Sequence, residues 1–543
     1  MRAASIAMIV LASCSFTHGR EQEVDAGVDA PPMTPNVYFT SVTSTVTQVR
    51  PGKYGFEVTA VLRNDLATEI TDVGARLTFG GHDKEIRHRD EDRREGVFDL
   101  QPTTLAPGTE ATYRFVVDAL PWLTASDLQV NAAAVFTTSG SKLSATPAAT
   151  PLTLSYGGVN GPIVVTTEKD ESNTGSKLSF REALAQAMTA PGPDIITFDP
   201  SVFTPGTVVD LDDNLGELPT ITSDVVIDGT SADVTLALAA SWESPEGRYG
   251  LRIVNGTVAV AGITFRNFAF NYRNEDLTTN NCGISNAQLE GGAMRVDGGT
   301  LILERNRFED PDVAERNCYA ASVRLHGGTA HHIVSNTWTD QVMDSIYVAA
   351  KVTEISDNVM ISPNHTDRDD EGIYIASQGG GDLWIVGNLI VDQEYSGIYA
   401  GGSDNGRLWI FNNTFVRNGR SSLAAIRRSG PRVIVLRNNL YIANNPSALQ
   451  ADNNGTGFDI AYETVSSNSL CSGTCDSAMI DMPSVLMPAD PGVANIAGTT
   501  PDDFTPTATS PLMGTATPIL DRNGGAPNHF MGDGQERGCI EIP

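Results

Sequence analysis

Leu383-Trp384-Ile385-Val386-Gly387-Asn388-Leu389-Ile390-Val391 is followed 25 residues later by Leu408-Trp409-Ile410-Phe411-Asn412-Asn413-Thr414-Phe415-Val416. In both stretches an Asn stands three residues after a branched aliphatic side chain and two before a large apolar one. The arrangement recurs around Asn306, Asn336, Asn358 and Asn439, and the six Asn are spaced by 30, 22, 30, 25 and 26 residues. Self-similarity in this range marks a solenoid, in which each repeat is one coil stacked on the last. The segments around the Asn are short and rich in β-branched and aromatic residues, so the coils are made of strands. The architecture expected is an all-β, right-handed parallel β-helix.

Such a coil carries several strands, and each must repeat with the same period. Leu303, Ile333, Ile355, Ile385, Ile410 and Leu436 precede the Asn series, and Phe308, Trp338, Met360, Ile390, Phe415 and Tyr441 follow it. Both sets are expected to form inward layers about 4.8 Å apart. A second series keeps pace with the first: Met294-Arg295-Val296, Val323-Arg324-Leu325, Ile346-Tyr347-Val348, Ile373-Tyr374-Ile375 and Ile398-Tyr399-Ala400. Alternation puts the outer two residues of each triplet inside and the middle one outside. An Asn at each corner suits a left-handed turn residue, and stacked amides can bond along the column.

Composition bounds the function. There are 36 basic against 66 acidic residues, a formal charge of −30, which argues against nucleic-acid binding because phosphate neutralisation needs basic surface. At 543 residues the chain can hold more than one core. No apolar run approaches the roughly 18 residues of a membrane span.

Residues 1–13 form an address: Arg2 is the short positive start, Ala3 to Val10 is apolar, and Leu11-Ala12-Ser13-Cys14 resembles the lipobox of bacterial lipoproteins. The resemblance implies cleavage before Cys14 and lipidation of its thiol and new amino group; an ordinary signal peptide with a chance Cys is the alternative. Ser15 after that Cys favours, by the same analogy, an outer-membrane lipoprotein of the cell envelope, facing either the surface or the periplasm, with the lipid as its one membrane contact. Residues 14–35, acidic and Pro-containing, are expected to be a tether. Residues 36–156 change to short alternating strands such as Tyr54-Gly55-Phe56-Glu57-Val58-Thr59-Ala60-Val61, parted by turns such as Ala106-Pro107-Gly108-Thr109. They predict an immunoglobulin-like β-sandwich and resemble the adhesion-type accessory modules of bacterial surface proteins.

The β-helix is expected to occupy 161–543. Its opening, Val164-Val165-Thr166-Thr167-Glu168-Lys169-Asp170, Leu178-Ser179-Phe180-Arg181-Glu182-Ala183-Leu184 and Asp194-Ile195-Ile196-Thr197-Phe198, resembles the CSLREA segment of bacterial right-handed β-helix proteins, with Leu178 where the motif has Cys. Ser179 and Glu182 make a capping box, and Ala183, Leu184, Ala187 and Met188 give a helix over 179–190 one apolar face to plug the first coil. Asp490-Pro491, Asp503-Phe504 and Ser510-Pro511-Leu512-Met513-Gly514 resemble the tail of choice-of-anchor β-helix proteins within the pectate-lyase-like superfamily, so 480–543 is expected to cap the far end. These families imply the fold and leave the activity open.

Function is sought outside the coils. Arg295, Arg324, Tyr347, Tyr374 and Tyr399 are expected to form an exposed column: Tyr offers flat apolar faces with a polar tip, Arg forked donors for carboxylate or sulfate. Its step matches an extended sugar chain, making a polysaccharide the expected partner of a monomeric protein. The bland alternative is that long side chains simply fill exterior strand positions. Beside the column the loops are acidic. Asp310, Asp340 and Asp392 each follow a repeat Asn by four residues, Asp344 and Glu371 precede their triplets, and Asp367, Asp369 and Asp370 share one loop. Paired carboxylates such as Asp344 and Glu371, with Arg324 beside them, could hydrolyse a glycosidic bond. Asp367, Asp369 and Asp370 could hold Ca2+. Solvated turn residues of an acidic protein are the third possibility. For a β-eliminating lyase the candidate bases are Arg324, Lys351 and His326, but no pectate-lyase or polygalacturonase motif accompanies them. His331 occupies an aliphatic position and suits a buried structural role; Trp384 and Trp409 suit wall cover. Cys471 with Cys475, and Cys282 with Cys318, are disulfide candidates for an oxidising compartment, leaving Cys539 over.

Overall fold

The computed structural model describes residues 37–515 apart from 46–54, 79–85, 89–97, 100–103, 120–128, 140, 146–147, 152–161, 173–174, 190–193, 239–248, 269–291, 311–320, 329, 342, 364–370, 378, 380–381, 403–405, 421–422, 431, 453–456, 474–479, 508 and 513–514. Cys14, Cys282, Cys318, Cys475, Cys539 and the loop carrying Asp367, Asp369 and Asp370 lie outside the described residues, as does the tether.

From Ile163 to Gly473 the strands sort into three parallel sheets of 11, 10 and 9 strands among the described residues. Each coil contributes one strand to each sheet in turn, as the coil of Leu383–Val386, Leu389–Val391 and Ile398–Ala400 shows. This is a parallel β-helix, right-handed as crossovers between parallel strands are. Its three walls are called here the first, second and third faces, in chain order within a coil.

The expected layers pair residue by residue. On the first face Leu303, Ile333, Ile355, Ile385, Ile410 and Leu436 stand in one register that continues to Ile460. On the second, Phe308, Trp338, Met360, Ile390, Phe415 and Tyr441 do the same. Equal spacing lets like side chains stack: the Phe308 and Trp338 rings lie 4.8 Å apart, 7° from parallel. Inward residues of all three faces merge into one elongated apolar core.

The repeat Asn turn inward between the first and second faces and are fully buried or nearly so. Asn388 shows the pattern: its amide donates to Ile355 O at 3.0 Å, Val386 O at 3.2 Å and Asn413 Oδ1 at 2.9 Å, while its own Oδ1 accepts the Asn358 N–H and amide, both at 3.0 Å. The bonds along the column are as expected, but the left-handed residue is one position earlier. Arg305, Ser335, Asp357, Gly387, Asn412 and Asn438 have φ of 55°, 57°, 55°, 66°, 54° and 58°. The positive φ turns the corner, and the following Asn, thereby aimed inward, satisfies backbone groups that the corner removes from the sheets. A second amide column, Gln393, Asn418, Asn444 and Asn468, runs along the next corner.

Helix Phe180–Thr189 lies at the start of the solenoid with Phe180, Ala183, Leu184 and Ala187 in the core. The capping box is formed, Ser179 N–H to Glu182 Oε2 at 3.0 Å and Glu182 N–H to Ser179 Oγ at 3.2 Å. Arg181 is tied by two bonds of 2.8 and 2.7 Å to Asp170 and donates to Glu217 O at 2.6 Å, fastening the helix to the flanking segments.

At the other end, Ile480 and Leu486 pair with Ile460 and Thr464, adding cover to the last coil. Beyond them the chain lies along the outside of the second face, where Val493, Phe504 and Leu512 pack on Val359, Ile361, Leu389, Val391, Val416, Leu440 and Ile442. Arg417 holds this segment through Ile496 O and Gly498 O.

Residues 37–151 form two antiparallel sheets around a separate core. Val37–Thr45, Gly55–Asn64, Glu110–Ala119 and Ile86–His88 make one sheet; Thr71–Thr78 and Gln129–Thr138 centre the other. Val58, Ala60 and Leu62 face Val130, Ala132, Ala134 and Phe136 across the core, which is the period-two alternation of a half-buried strand.

Candidate functional site

The outer positions of the three faces differ. On the second face they are polar in early coils (Arg307 and Glu309, Thr337 and Thr339) and, Thr414 apart, aliphatic from Val359 to Ile442, where the C-terminal segment covers them. On the first face Trp384 and Trp409 stack at 4.9 Å and are buried with Val386, Phe411 and Val435, so they cover the wall. On the third face the outer positions are mostly half-exposed, and it carries the column.

The column is real and longer than the sequence reading made it. Strand pairing aligns Arg252, Arg295, Arg324, Tyr347, Tyr374, Tyr399, Arg427, Gln450 and Ser472 in one file. The added members follow from extending the same register to coils whose triplets are less regular, such as Ile426-Arg427-Arg428.

The rings do not lie flat on the surface. Tyr347 and Tyr374 are stacked at 5.2 Å and 14°, and Tyr374 and Tyr399 meet at 4.9 Å and 55°. The Arg324 guanidinium lies 4.2 Å from the Tyr347 ring centre, and the Arg427 guanidinium 5.1 Å from that of Tyr399. His326 stacks on Tyr347 at 5.7 Å and accepts from Arg324 Nε at 2.6 Å. The expectation of flat faces offered to a sugar is therefore corrected: at a rung spacing near 4.8 Å adjacent rings cover one another, and edges and hydroxyls are left to face outward. The arginines are likewise engaged. Asp297 takes both Arg295 at 2.6 Å and Arg252 at 3.0 Å, and Asp452 takes Arg427 at 2.5 Å.

Asp344 and Glu371 occupy equivalent places on adjacent coils, where the chain enters the third face. Both are buried, and Asp344 Oδ1 accepts the Glu371 backbone N–H at 3.0 Å. Their charges reach the column. The Tyr374 phenol is held above its ordinary range first by burial and then by Tyr399, Glu371, Tyr347 and Asp344. The structure thus sets Asp344 against the Glu371 backbone, with both charges near enough to act on Tyr374. Arg324 lies in the same file as Tyr374, two rungs away, engaged with His326 and Tyr347.

Other singled-out residues serve the fold. Asp392 is buried and takes Arg417 at 2.6 Å and Arg420 at 2.8 Å, at the root of the C-terminal segment. His331 is buried, accepts Leu301 N–H at Nδ1 (2.9 Å) and meets Gly327 O through Nε2 (2.9 Å); burial pulls its pKa down to about 4. Cys471 is disulfide-bonded, to a partner outside the described residues. Among the described residues no group of three or more His, Cys, Asp or Glu is placed to hold a metal ion.

A family model described as a right-handed β-helix region matches residues 268–445, the coils that carry Arg295 to Arg427. No curated protein matches. Among solved structures, this chain is similar to the catalytic domain of a GH87 α-1,3-glucanase in complex with tetrasaccharides. The likeness covers 80% of this chain and 86% of that one at 12% identity, with a TM-score of 0.28, a level that carries no argument about activity.

Proposed function

We propose that this protein is a lipid-anchored, monomeric β-helix protein of the bacterial cell envelope that binds a polysaccharide chain along its third face and serves in adhesion. Cys14 would carry the lipid on an outer-membrane lipoprotein, residues 14–35 the tether, and the two-sheet domain, as an immunoglobulin-like module, the spacer that lifts the solenoid from the membrane. Support comes from the opening segment and tail, which resemble those of CSLREA and choice-of-anchor β-helix proteins. The observation that carries the binding reading is the file of Arg252 to Ser472, polar and aromatic on the third face, where the second face is sealed in its later coils and the first over its Trp patch. A file one side chain per coil, about 4.8 Å per step, suits a linear polymer lying parallel to the axis.

Affinity electrophoresis of the detergent-solubilised chain in gels cast with single polysaccharides tests this. At least one polymer is expected to retard the protein, and Tyr374→Ala to lose that retardation while unfolding at nearly the parent temperature. Equal retardation of variant and parent would remove the file from the binding role. Hydrolysis or β-elimination of an acidic polysaccharide by Asp344, Glu371 and Arg324 is the second reading, favoured by Asp344 and Glu371 standing at equivalent places on adjacent coils, with Asp344 bonded to the Glu371 backbone. It predicts new reducing ends or unsaturated products on incubation, with Ca2+ at Asp367, Asp369 and Asp370 raising the yield.

A further inference from the structure

We infer that the ligand of the third face is an uncharged, hydroxyl-rich glycan, held edge-on by tyrosine hydroxyls rather than by ring stacking or ion pairing. The inference rests on the polysaccharide reading and narrows it to one chemical class.

Three observations converge. The arginines of the file are already engaged within the protein. Arg252 and Arg295 share Asp297, Arg427 is on Asp452, and Arg324 is spent on His326 and the Tyr347 ring. A polyanion would have to compete with these carboxylates, and would approach a chain of formal charge −30 with the charges of Asp344 and Glu371 acting on Tyr374. Ring faces are spent too, since Tyr374 is flanked by Tyr347 on one side and Tyr399 on the other. What remains is the outer rim. Tyr399 points its hydroxyl at Ser429 Oγ, 2.7 Å away, so that pair can pass a hydrogen bond on to a ligand. The Tyr374 hydroxyl has no hydrogen-bond partner among the described residues, and Tyr374 is only half-buried. Burial and its acidic neighbours keep this phenol protonated, hence a neutral donor and acceptor, across the whole physiological range. Gln450 and Ser472 extend the same neutral polar edge toward the C-terminal coils.

A ligand matched to such an edge offers alternating donors and acceptors without charge, as the hydroxyls of a neutral glycan do. Among the described residues of the file no arginine is left uncommitted for a uronate or sulfate to pair with.

The test runs the full chain, solubilised in a non-ionic detergent, through two sets of gels. One set holds neutral polymers (amylose, dextran, a linear β-1,3-glucan, galactomannan), the other polygalacturonate, alginate and dextran sulfate. Retardation by a neutral polymer, unchanged when salt is raised, is expected. Tyr374→Phe, which keeps the stack and removes one hydroxyl, is expected to weaken it about fivefold, the scale of one neutral hydrogen bond. Retardation confined to the acidic gels and abolished by salt overturns the uncharged class while leaving the polysaccharide reading standing. Neutral binding with Tyr374→Phe equal to the parent overturns the edge-on hydroxyl role. Retardation in no gel overturns this inference and the polysaccharide reading together.

Discussion

Two files of side chains climb the same coils at the same step, and they are built for opposite ends. The Asn file from Asn306 to Asn439 is buried, and its amides bond backbone carbonyls and one another. The tyrosine file, reached later in the same coils, is half-exposed and touches its neighbours through ring faces and guanidinium groups. A repeat imposes identical spacing on inside and outside, so periodicity alone does not separate structure from function. What separates them is where the polar atoms are satisfied: inside by the protein, outside by whatever lies on the surface.

The largest effect is expected from charging the inside. Ile373→Asp puts a carboxylate into the layer between Ile346 and Ile398, where no partner exists to pair it. It should cost more than about 4 kcal/mol or prevent folding, read by thermal unfolding or soluble yield. A variant that melts like the parent would reverse the inside and outside of the third face. Next comes Asn388→Ala, which takes away the acceptor of the Asn358 N–H, one of the two acceptors of the Asn358 amide (the other is Ile333 O) and the amide donor to the Ile355 carbonyl, in a dry corner. About 3 kcal/mol is expected by denaturant unfolding. A loss under about 1 kcal/mol would mean that water replaces the amide and that the file is not what holds the corner.

Much of this contrast was legible in the sequence because strands alternate with period two: one aligned set of triplets fixes which residues point in on every coil. The covering of the second face was legible too, but unread. Val359-Met360-Ile361 and Leu389-Ile390-Val391 are apolar at all three positions, which marks strands buried on both sides, whereas Thr337-Trp338-Thr339 marks one open to water. The turn geometry was placed one residue late, because a repeat dominated by Asn hides the more variable residue before it, Arg305, Ser335 or Asp357, that takes the left-handed conformation. The orientation of the tyrosine rings was not legible at all. Identity and spacing set where a Tyr sits, while side-chain torsions and the neighbours at either end decide whether its face or its edge meets solvent. Nor could spacing show that Asp344 and Glu371 would be buried, since that depends on how the chain enters the third face.

The two files can be compared again where the inner one ends. After Asn439 its next rung is Glu463, fully buried, which accepts the Asn439 N–H at 3.2 Å and the amide at 3.2 and 3.1 Å. Burial raises its pKa to about 7, against the opposing pull of Tyr441, Asn439 and Arg437. A carboxyl whose folded pKa exceeds its unfolded value of 4.5 binds its proton more tightly in the fold. Its stabilisation is complete below about pH 4.5 and is lost as pH rises through 7, on the order of 3 kcal/mol. Glu463→Gln, neutral at every pH, should flatten that part of the stability profile and be the more stable protein at pH about 8. Parallel profiles for the two proteins between pH about 5 and 8 would show that the last rung is not a buried neutral acid.

The smallest effect is expected on the outside. Tyr374→Ala removes two ring contacts and a half-buried side chain from a file whose remaining members still stack in pairs with their guanidinium neighbours. Aromatic pairs contribute about 0.5–1.5 kcal/mol beyond burial, and the exposed rim recovers solvation when the ring goes, so a net loss near 1 kcal/mol is expected. That is about a third of the cost of Asn388→Ala, although both positions are one rung of a file that repeats on every coil. Unfolding of the two variants side by side measures the ratio directly. Equal losses would make the tyrosine file a second structural spine, and the polysaccharide would then have to be sought on another face.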